Sequence, residues 1–316
     1  MTSVAVLNPR SGRGNAAKIW ARVQAHLLEP YEVCQTQAPG HATTLARNAL
    51  GRGITTVVAI GGDGTINEVV NGFFDGERAV APDARLGIIP SGTGSDLRRT
   101  LKLPSGDASL AAVLRTGNVQ SVDVMKVRYA MPSGTSAMRY AINIVSFGMG
   151  GLVAARAKES SRPLGGRAAN LTATLRTALT FRGRCVRLTL DGAPAIEATI
   201  TNVAVGNGQF HGGGMWACPA ARLDDGFVDV TLVNYLPLWQ LFRALPALYT
   251  GRVLEHPSVR SHRVRRLEAE GREPCEIELD GEAVGRLPMD VSVVPRAIRL
   301  LVPHEAVLDS CVGRGG

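Results

Sequence analysis

Three short stretches of this chain combine glycine with small hydroxyl and acid side chains. They are Asn8-Pro9-Arg10-Ser11-Gly12-Arg13-Gly14, Gly61-Gly62-Asp63-Gly64-Thr65 and Ser91-Gly92-Thr93-Gly94-Ser95-Asp96. Glycine lets a backbone approach a ligand closely and turn N–H groups toward it, and a helix starting there adds the positive end of its dipole. The chemistry this suits is the holding of phosphate. Thr65 and Thr93 offer hydroxyls to the same end. Asp63 is the acid inside the central turn; among phosphates a carboxylate is repelled unless a cation lies between, so Asp63 reads as a residue linked to Mg2+. Glu68, one helical turn further on, is a weaker candidate for that task, with a solvated helix residue as its plainer reading. Any one such turn is also an ordinary strand-to-helix connection. Three of them on one sheet edge are harder to explain that way.

The elements that must position these turns are a βαβ series. Val4 to Leu7, Tyr31 to Thr36, Thr55 to Ile60 and Leu86 to Ile89 read as strands, with helices over Ala16 to Leu28, Ala42 to Leu50 and Ile66 to Phe74. The β-branched run Thr55 to Ile60 belongs in the middle of a parallel sheet. All three turns then fall at the carboxyl ends of strands, where open α/β sheets bind ligands. Past Val122 strands dominate: Val119 to Arg128, Arg139 to Phe147, Val186 to Leu190, Glu197 to Val205, Phe227 to Val233, Cys275 to Leu279, Met289 to Val294 and Ile298 to Val302. Helical insertions are expected near Leu152 to Glu159 and Leu164 to Thr180. The fold class is therefore α/β: an N-terminal α/β nucleotide-binding domain over residues 1–121 and a β-rich antiparallel sandwich domain over 122–303. A C-terminal helix, 304–311, would pack back on the first domain.

Composition narrows the field. With 316 residues, 45% of them hydrophobic and 20% charged, the chain has material for two packed domains. Five scattered cysteines without a C-x-x-C point to neither a disulfide framework nor a zinc site, and a reducing cytoplasm fits best. The start of the chain lacks the pattern of a signal peptide. None of the glycine turns is G-x-x-x-x-G-K-[ST], and the dinucleotide fingerprint is missing after the first strand, so a Walker NTPase and a nicotinamide dehydrogenase are both disfavoured. The net charge of +8 suits an anionic partner, but no nucleic-acid-binding module accompanies it, and nucleic acid is not expected.

Taken together, GGDGTINEVVNG (Gly61 to Gly72), NPRSGRG (Asn8 to Gly14) and IPSGTGSDLRRTL (Ile89 to Leu101) resemble the catalytic domain of the diacylglycerol kinase family, which includes bacterial lipid kinases and sphingosine and ceramide kinases. Ala221 to Asp229 is similar to the family's second-domain DDG motif, and Leu279-Asp280-Gly281-Glu282 to its late DGE motif. The resemblance implies ATP bound at the junction of the two domains and transfer of its γ-phosphate to a lipid hydroxyl. It assigns the nucleotide to Asn8, Pro9, Arg10, Ser11, Gly12, Thr36, Gly61, Gly62, Asp63, Gly64, Thr65, Ile66, Asn67, Glu68 and Thr93. It makes Asp280 the general base, with Asp63 and Glu282 as the other catalytic acids. It also places a structural Mg2+ on the Asp225 carboxylate and the carbonyls of Arg222 and Phe227. Asp-Gly is equally an ordinary hairpin turn, which remains the plain reading of Asp280 and Asp225.

On the acceptor side, Tyr235 to Tyr249 carries Leu238, Leu241, Phe242, Leu245 and Leu248 at helical spacing, beside Trp239. Such a stripe is most often a core-facing helix; for an enzyme that must reach a lipid it is alternatively a docking surface. Arg98-Arg99-Lys102, Arg182-Arg184-Arg187 and Arg263-Arg265-Arg266 would draw anionic lipid headgroups at ~1 kcal/mol per charge, though alternating arginine also marks a solvated strand face. The reading is an ATP- and Mg2+-dependent lipid kinase at the inner face of the membrane, with diacylglycerol as acceptor. A sphingoid base, ceramide or a soluble acceptor as in NAD kinases, and a nucleotide-binding regulator without catalysis, are the alternatives. Oligomeric state stays open, a homodimer included.

Overall fold

A computed structural model describes residues 2–92, 96–160, 177 and 179–304. The expected contribution of Thr93, most of the helix expected over Leu164 to Thr180, and the expected 304–311 helix beyond His304 lie outside the described residues. The chain divides into two compact units, one of Met1–Val122 with Arg296–Gly316, the other of Asp123–Pro295.

In the first unit, β1 (Ser3–Leu7), β2 (Glu32–Gln35), β3 (Thr56–Gly61) and β6 (Arg85–Pro90) form a parallel sheet in the order β2-β1-β3-β6. A small hairpin, β4 (Phe74–Asp75) and β5 (Arg78–Ala79), lies apart from it. Val4 to Leu7 and Val57 to Ile60 are buried throughout, as continuous apolar strands covered on both faces must be. Helices α1 (Ala16–Gln24), α2 (His41–Gly51) and α3 (Asp63–Gly72) follow the first three strands. α1 buries Ala16, Trp20 and Val23, one face at helical spacing. α3 starts three residues earlier than the apolar pattern predicts. Its N-cap is the extended Gly62, and Ile66 N–H donates to the Gly62 carbonyl at 3.0 Å, so Asp63-Gly64-Thr65 forms the first helical turn. α4 (Asp96–Thr100) and α5 (Asp107–Thr116) were not foreseen. Arg299 and Leu300, near the end of the last strand, run parallel to Arg85 and Leu86.

The second unit is antiparallel and β-rich. Its strands are β7 (Asn118–Ala130), β8 (Ser136–Ala141), β9 (Ile144–Gly148), β10 (Arg184–Leu190), β11 (Ile196–Gly206), β12 (Phe210–His211), β13 (Met215–Trp216), β14 (Val228–Asn234), β15 (Val259–Val264), β16 (Arg266–Gly271), β17 (Glu276–Leu279) and β18 (Glu282–Val302). β11 pairs with β9, β9 with β17, β17 with β18, β18 with β16, β16 with β10, and β10 with β11 again. That circuit encloses a core including Phe147, Leu188, Val203, Ile277, Leu279 and Val291.

One departure from the expected strands bears on function. Arg139 to Phe147, read as one strand, is broken at Ile142 and Asn143, whose N–H groups turn away to a side chain described below. α6 (Met149–Ser160) is the first insertion, and α7 (Leu238–Tyr249) is the stripe helix. No residue of α7 is fully buried; Leu238, Leu241, Leu245 and Leu248 of the stripe are half-buried, while Trp239 and Phe242 are exposed. No helix among the described residues is long and apolar enough to cross a membrane.

Candidate active site

The three glycine turns of the first unit lock onto one another. Asn8 leaves β1 with its N–H on the Ile60 carbonyl at 3.0 Å, and its side-chain Nδ2 donates to Thr65 Oγ1 at 2.9 Å. Its Oδ1 accepts the Arg10 N–H at 3.0 Å, which shapes the Asn8-Pro9-Arg10 bend. Ser11 and Ser91 join hydroxyl to hydroxyl at 3.0 Å. Gly12 lies at φ +59°, and a Cβ there would fall 2.2 Å from the Ser91 carbonyl oxygen. On Gly92 a Cβ would fall 2.5 Å from Gly62 Cα, and on Gly61 2.4 Å from Thr65 Cβ. Glycine is required at Gly12 and Gly92 because the turns touch through their backbones, and at Gly61 because the Thr65 side chain lies against it. Thr36, just past β2, donates its N–H to the Leu7 carbonyl at 2.8 Å and so adjoins the first turn. The outcome is one rim of small residues at the carboxyl ends of β1, β3 and β6, with the α3 N-terminus opening at it, a geometry that favours phosphate.

Not every expected nucleotide residue faces that rim. Asp63 does stand at the head of α3, where its Oδ2 accepts the Asp96 N–H at 3.3 Å. Ile66 and Asn67 are buried inside the unit. Glu68 is committed elsewhere: its Oε1 accepts the Gly40 N–H at 2.8 Å and its Oε2 the Ala42 N–H at 3.1 Å, capping the N-terminus of α2. Glu68 is half-buried, and each of its carboxylate oxygens accepts one of these N–H groups.

In the second unit, Asp280 is buried at a left-handed φ of +46°. Its Oδ2 accepts the Ile142 N–H at 2.9 Å, and its Oδ1 accepts those of Asn143 at 3.0 Å and Ile144 at 2.9 Å. This is far more than a hairpin turn requires, and it explains the strand break. Glu282 is half-exposed and pairs with Arg139 at 3.0 Å. Asn207, which sequence reasoning missed, donates from one Nδ2 to the carbonyls of Asp123 and Ile142 at 2.8 Å each.

The DDG turn also behaves as built. Gly226 (φ +75°) donates its N–H to Oδ2 of the fully buried Asp123 at 2.7 Å, a second residue that was missed. The one local trace of Asp123 is that it is the lone acid of β7, set between Val122 and Val124. Asp225 Oδ1 accepts the Phe227 N–H at 3.0 Å, and its Oδ2 forms an ion pair with Arg263. Arg263 and Arg265 flank the Phe227 ring at 4.9 and 4.8 Å. Burial pushes the Asp229 carboxyl above its usual range; Arg263 opposes this and Asp225 adds to it. Among the described residues no three acids, histidines or cysteines converge on a metal site. On the resemblance to the family, a Mg2+ held here would have Asp225 as its carboxylate and the backbone carbonyls of Arg222 and Phe227 as other protein donors. That all-oxygen donor set fits the ion, which would compete with Arg263 for Asp225.

Each of the three expected basic clusters is paired in part, the Arg263-Arg265-Arg266 cluster most. Arg99 pairs with Asp96, Arg184 with Glu273, Arg263 with Asp225, and Arg266 with Asp290 and Glu268.

Comparison with known proteins agrees with both units. Residues 2–127 match the diacylglycerol kinase catalytic domain, and residues 143–302, more than half of the chain, match the YegS C-terminal NAD kinase beta sandwich-like domain. The chain belongs to the diacylglycerol kinase family. As a member of this family of lipid kinases it is a phosphotransferase, and the family implies ATP as donor. A diacylglycerol kinase of Mycobacterium tuberculosis is 29% identical over 309 residues, covering 95% of each chain. A probable YegS-like lipid kinase of Xanthomonas oryzae is 30% identical over 286 residues, covering 88% of each. Among solved structures, a putative diacylglycerol kinase from Bacillus anthracis superposes with a TM-score of 0.74 at 25% identity, over 97% of this chain and 98% of that one. The expected α/β domain followed by a β-rich domain is the architecture of this kinase family.

Proposed function

We propose that this kinase transfers the γ-phosphoryl group of ATP to the free hydroxyl of diacylglycerol, giving phosphatidic acid and ADP. The observation that carries the reading is the interlocked rim of Asn8, Ser11, Gly12, Gly61, Gly62 and Thr65, in a chain that is similar along nearly its whole length to a diacylglycerol kinase. The rim presents backbone N–H groups and the α3 N-terminus to the triphosphate. Phosphoryl transfer then needs little covalent help from the protein, because positioning and charge neutralisation dominate its barrier. The acceptor oxygen bonds to the γ-phosphorus as the bond to the β-phosphate bridging oxygen breaks, and the hydroxyl proton passes to Asp280. Three amides stabilise the Asp280 charge, so it acts by fixed placement more than by strong basicity. Mg2+ would supply the positive charge between phosphates and acids, and Asp63 at the head of α3 would be the residue to hold it.

The test is to incubate the chain with labelled ATP, Mg2+ and vesicles carrying diacylglycerol, ceramide or sphingosine, with NAD as a soluble control. Labelled phosphatidic acid is the expected product. Label in ceramide or sphingosine phosphate would move the acceptor within the lipids, and label in NADP would overturn the lipid reading.

A further inference from the structure

The outward face of α7 is built against the usual rule. Trp239, Phe242, Arg243, Pro246 and Tyr249 recur at i, i+3, i+4, i+7 and i+10 and are all exposed, Trp239 at 59%, Phe242 at 48% and Tyr249 at 60%. A surface helix normally turns polar residues to water, yet this one shows aromatic rings. The patch extends beyond the helix: Leu179 is 70% exposed, Tyr235 is exposed, and both border a cavity of about 470 Å3 that Leu238 and Leu241 of α7 also line. Charge on the helix itself has one sign, and the acid that follows it, Glu255, is paired with Arg252. From Val230 to Leu254 the sequence has no aspartate or glutamate, while Arg243 on the helix and Arg182 at the cavity are exposed. Neither arginine makes an ion pair among the described residues.

We propose that α7 is a membrane-docking helix that lies flat in the interface of an anionic phospholipid bilayer, its rings in the acyl boundary and its arginines among the headgroups. Twelve residues at 1.5 Å rise make about 18 Å, too short to span a bilayer and suited to lying along it. Tryptophan and tyrosine toward the two ends of the helix favour that depth. Charge complementarity singles out the bilayer over a second copy of the chain, whose α7 face would bring like charge against like. The proposal rests on the lipid-kinase reading insofar as it supplies a reason for the enzyme to visit a bilayer, but binding is measured without ATP or turnover.

The experiment is sedimentation with phosphatidylglycerol-containing and pure phosphatidylcholine vesicles, using the full chain, Trp239→Ser/Phe242→Ser and Arg243→Glu. The full chain should bind anionic vesicles and release with added salt. The double variant should lose at least about tenfold in partitioning, and Arg243→Glu should weaken binding to anionic vesicles alone. Both variants should keep the wild-type melting temperature and the wild-type rate on a short-chain, water-dispersed diacylglycerol. That last readout separates failure of docking from failure of the kinase reading. Variants that bind anionic vesicles like the wild type would overturn the proposal. So would a concentration-dependent dimer that the double variant abolishes.

Discussion

The backbone N–H of Asn143 donates to the Asp280 carboxylate at 3.0 Å, and the side chain of the same asparagine donates to the Phe210 carbonyl, also at 3.0 Å. One residue thus ties the acid to the Phe210–Trp216 hairpin. Removing the carboxylate should therefore do two things. Asp280→Ala would orphan three buried N–H groups at about 1–3 kcal/mol each, seen as a markedly lower melting temperature. Asp280→Asn keeps one oxygen acceptor for Asn143 and Ile144, so it should lose less stability while still losing about 100-fold or more in phosphoryl transfer. ATP affinity by titration calorimetry should persist in Asp280→Asn. Near-normal turnover in that variant would remove Asp280 as the base.

Gly12 and Gly14 separate two costs. Both have positive φ, at +59° and +84°, yet a Cβ on Gly14 meets nothing within 4 Å. Gly14→Ala should bear about 1–2 kcal/mol of backbone strain alone. Gly12→Ala adds the collision with Ser91 and should abolish ATP binding. Equal ATP affinities for the two variants would show that contact between the turns is unimportant.

Glu68 offers a direct choice between cap and ligand. As the cap of α2, its replacement by alanine should cost about 1–2 kcal/mol in thermal or denaturant unfolding, with the ATP KM and the Mg2+ requirement nearly unchanged. A shifted Mg2+ requirement with unaltered stability would return it to the metal.

Asp229 makes stability depend on pH. Its carboxyl sits above the reference value of 3.8 in the fold, so the native state holds that proton more tightly than the unfolded chain does. The contribution of Asp229 to stability is fully present below pH 3.8 and is lost as pH rises through the folded value. Asp229→Asn cannot ionise and should not show that loss, so the two melting curves should diverge upward from that pH. Parallel curves across the range would contradict the assignment.

Arg263 should compete with a divalent cation for Asp225. In Arg263→Ala the Mg2+ midpoint for thermal stabilisation should fall, whereas Asp225→Asn should remove the effect. A midpoint that ignores both changes would place the cation elsewhere.

The parallel sheet was legible because its strands are short, apolar and punctuated by glycine, which are local signals. The same held for the turns, since Gly12, Gly62 and Gly92 sit where each strand ends. Asp123 and Asn207 were not legible: each is a single polar residue whose partners lie far away in sequence, Gly226 being 103 positions from Asp123. Periodicity could not reveal the break after Ala141, because Ile142 and Ile144 continue the apolar run and the cause is a carboxylate 138 residues away. The α7 stripe shows the converse limit. Spacing identified the helix, but which face meets water depends on what packs beside it.

The strand circuit of the second unit has a temporal implication. Its closing member, β18, is the last described strand, and β17, which carries the chain into Asp280, is the strand before it. A chain emerging from the ribosome must wait for residues near Ser292 before the ring can shut, with β9 and β16 exposing open edges in the meantime. Assembly of this half is consequently a late, long-range event in the life of the molecule, and slow folding follows from the order in which its strands are made.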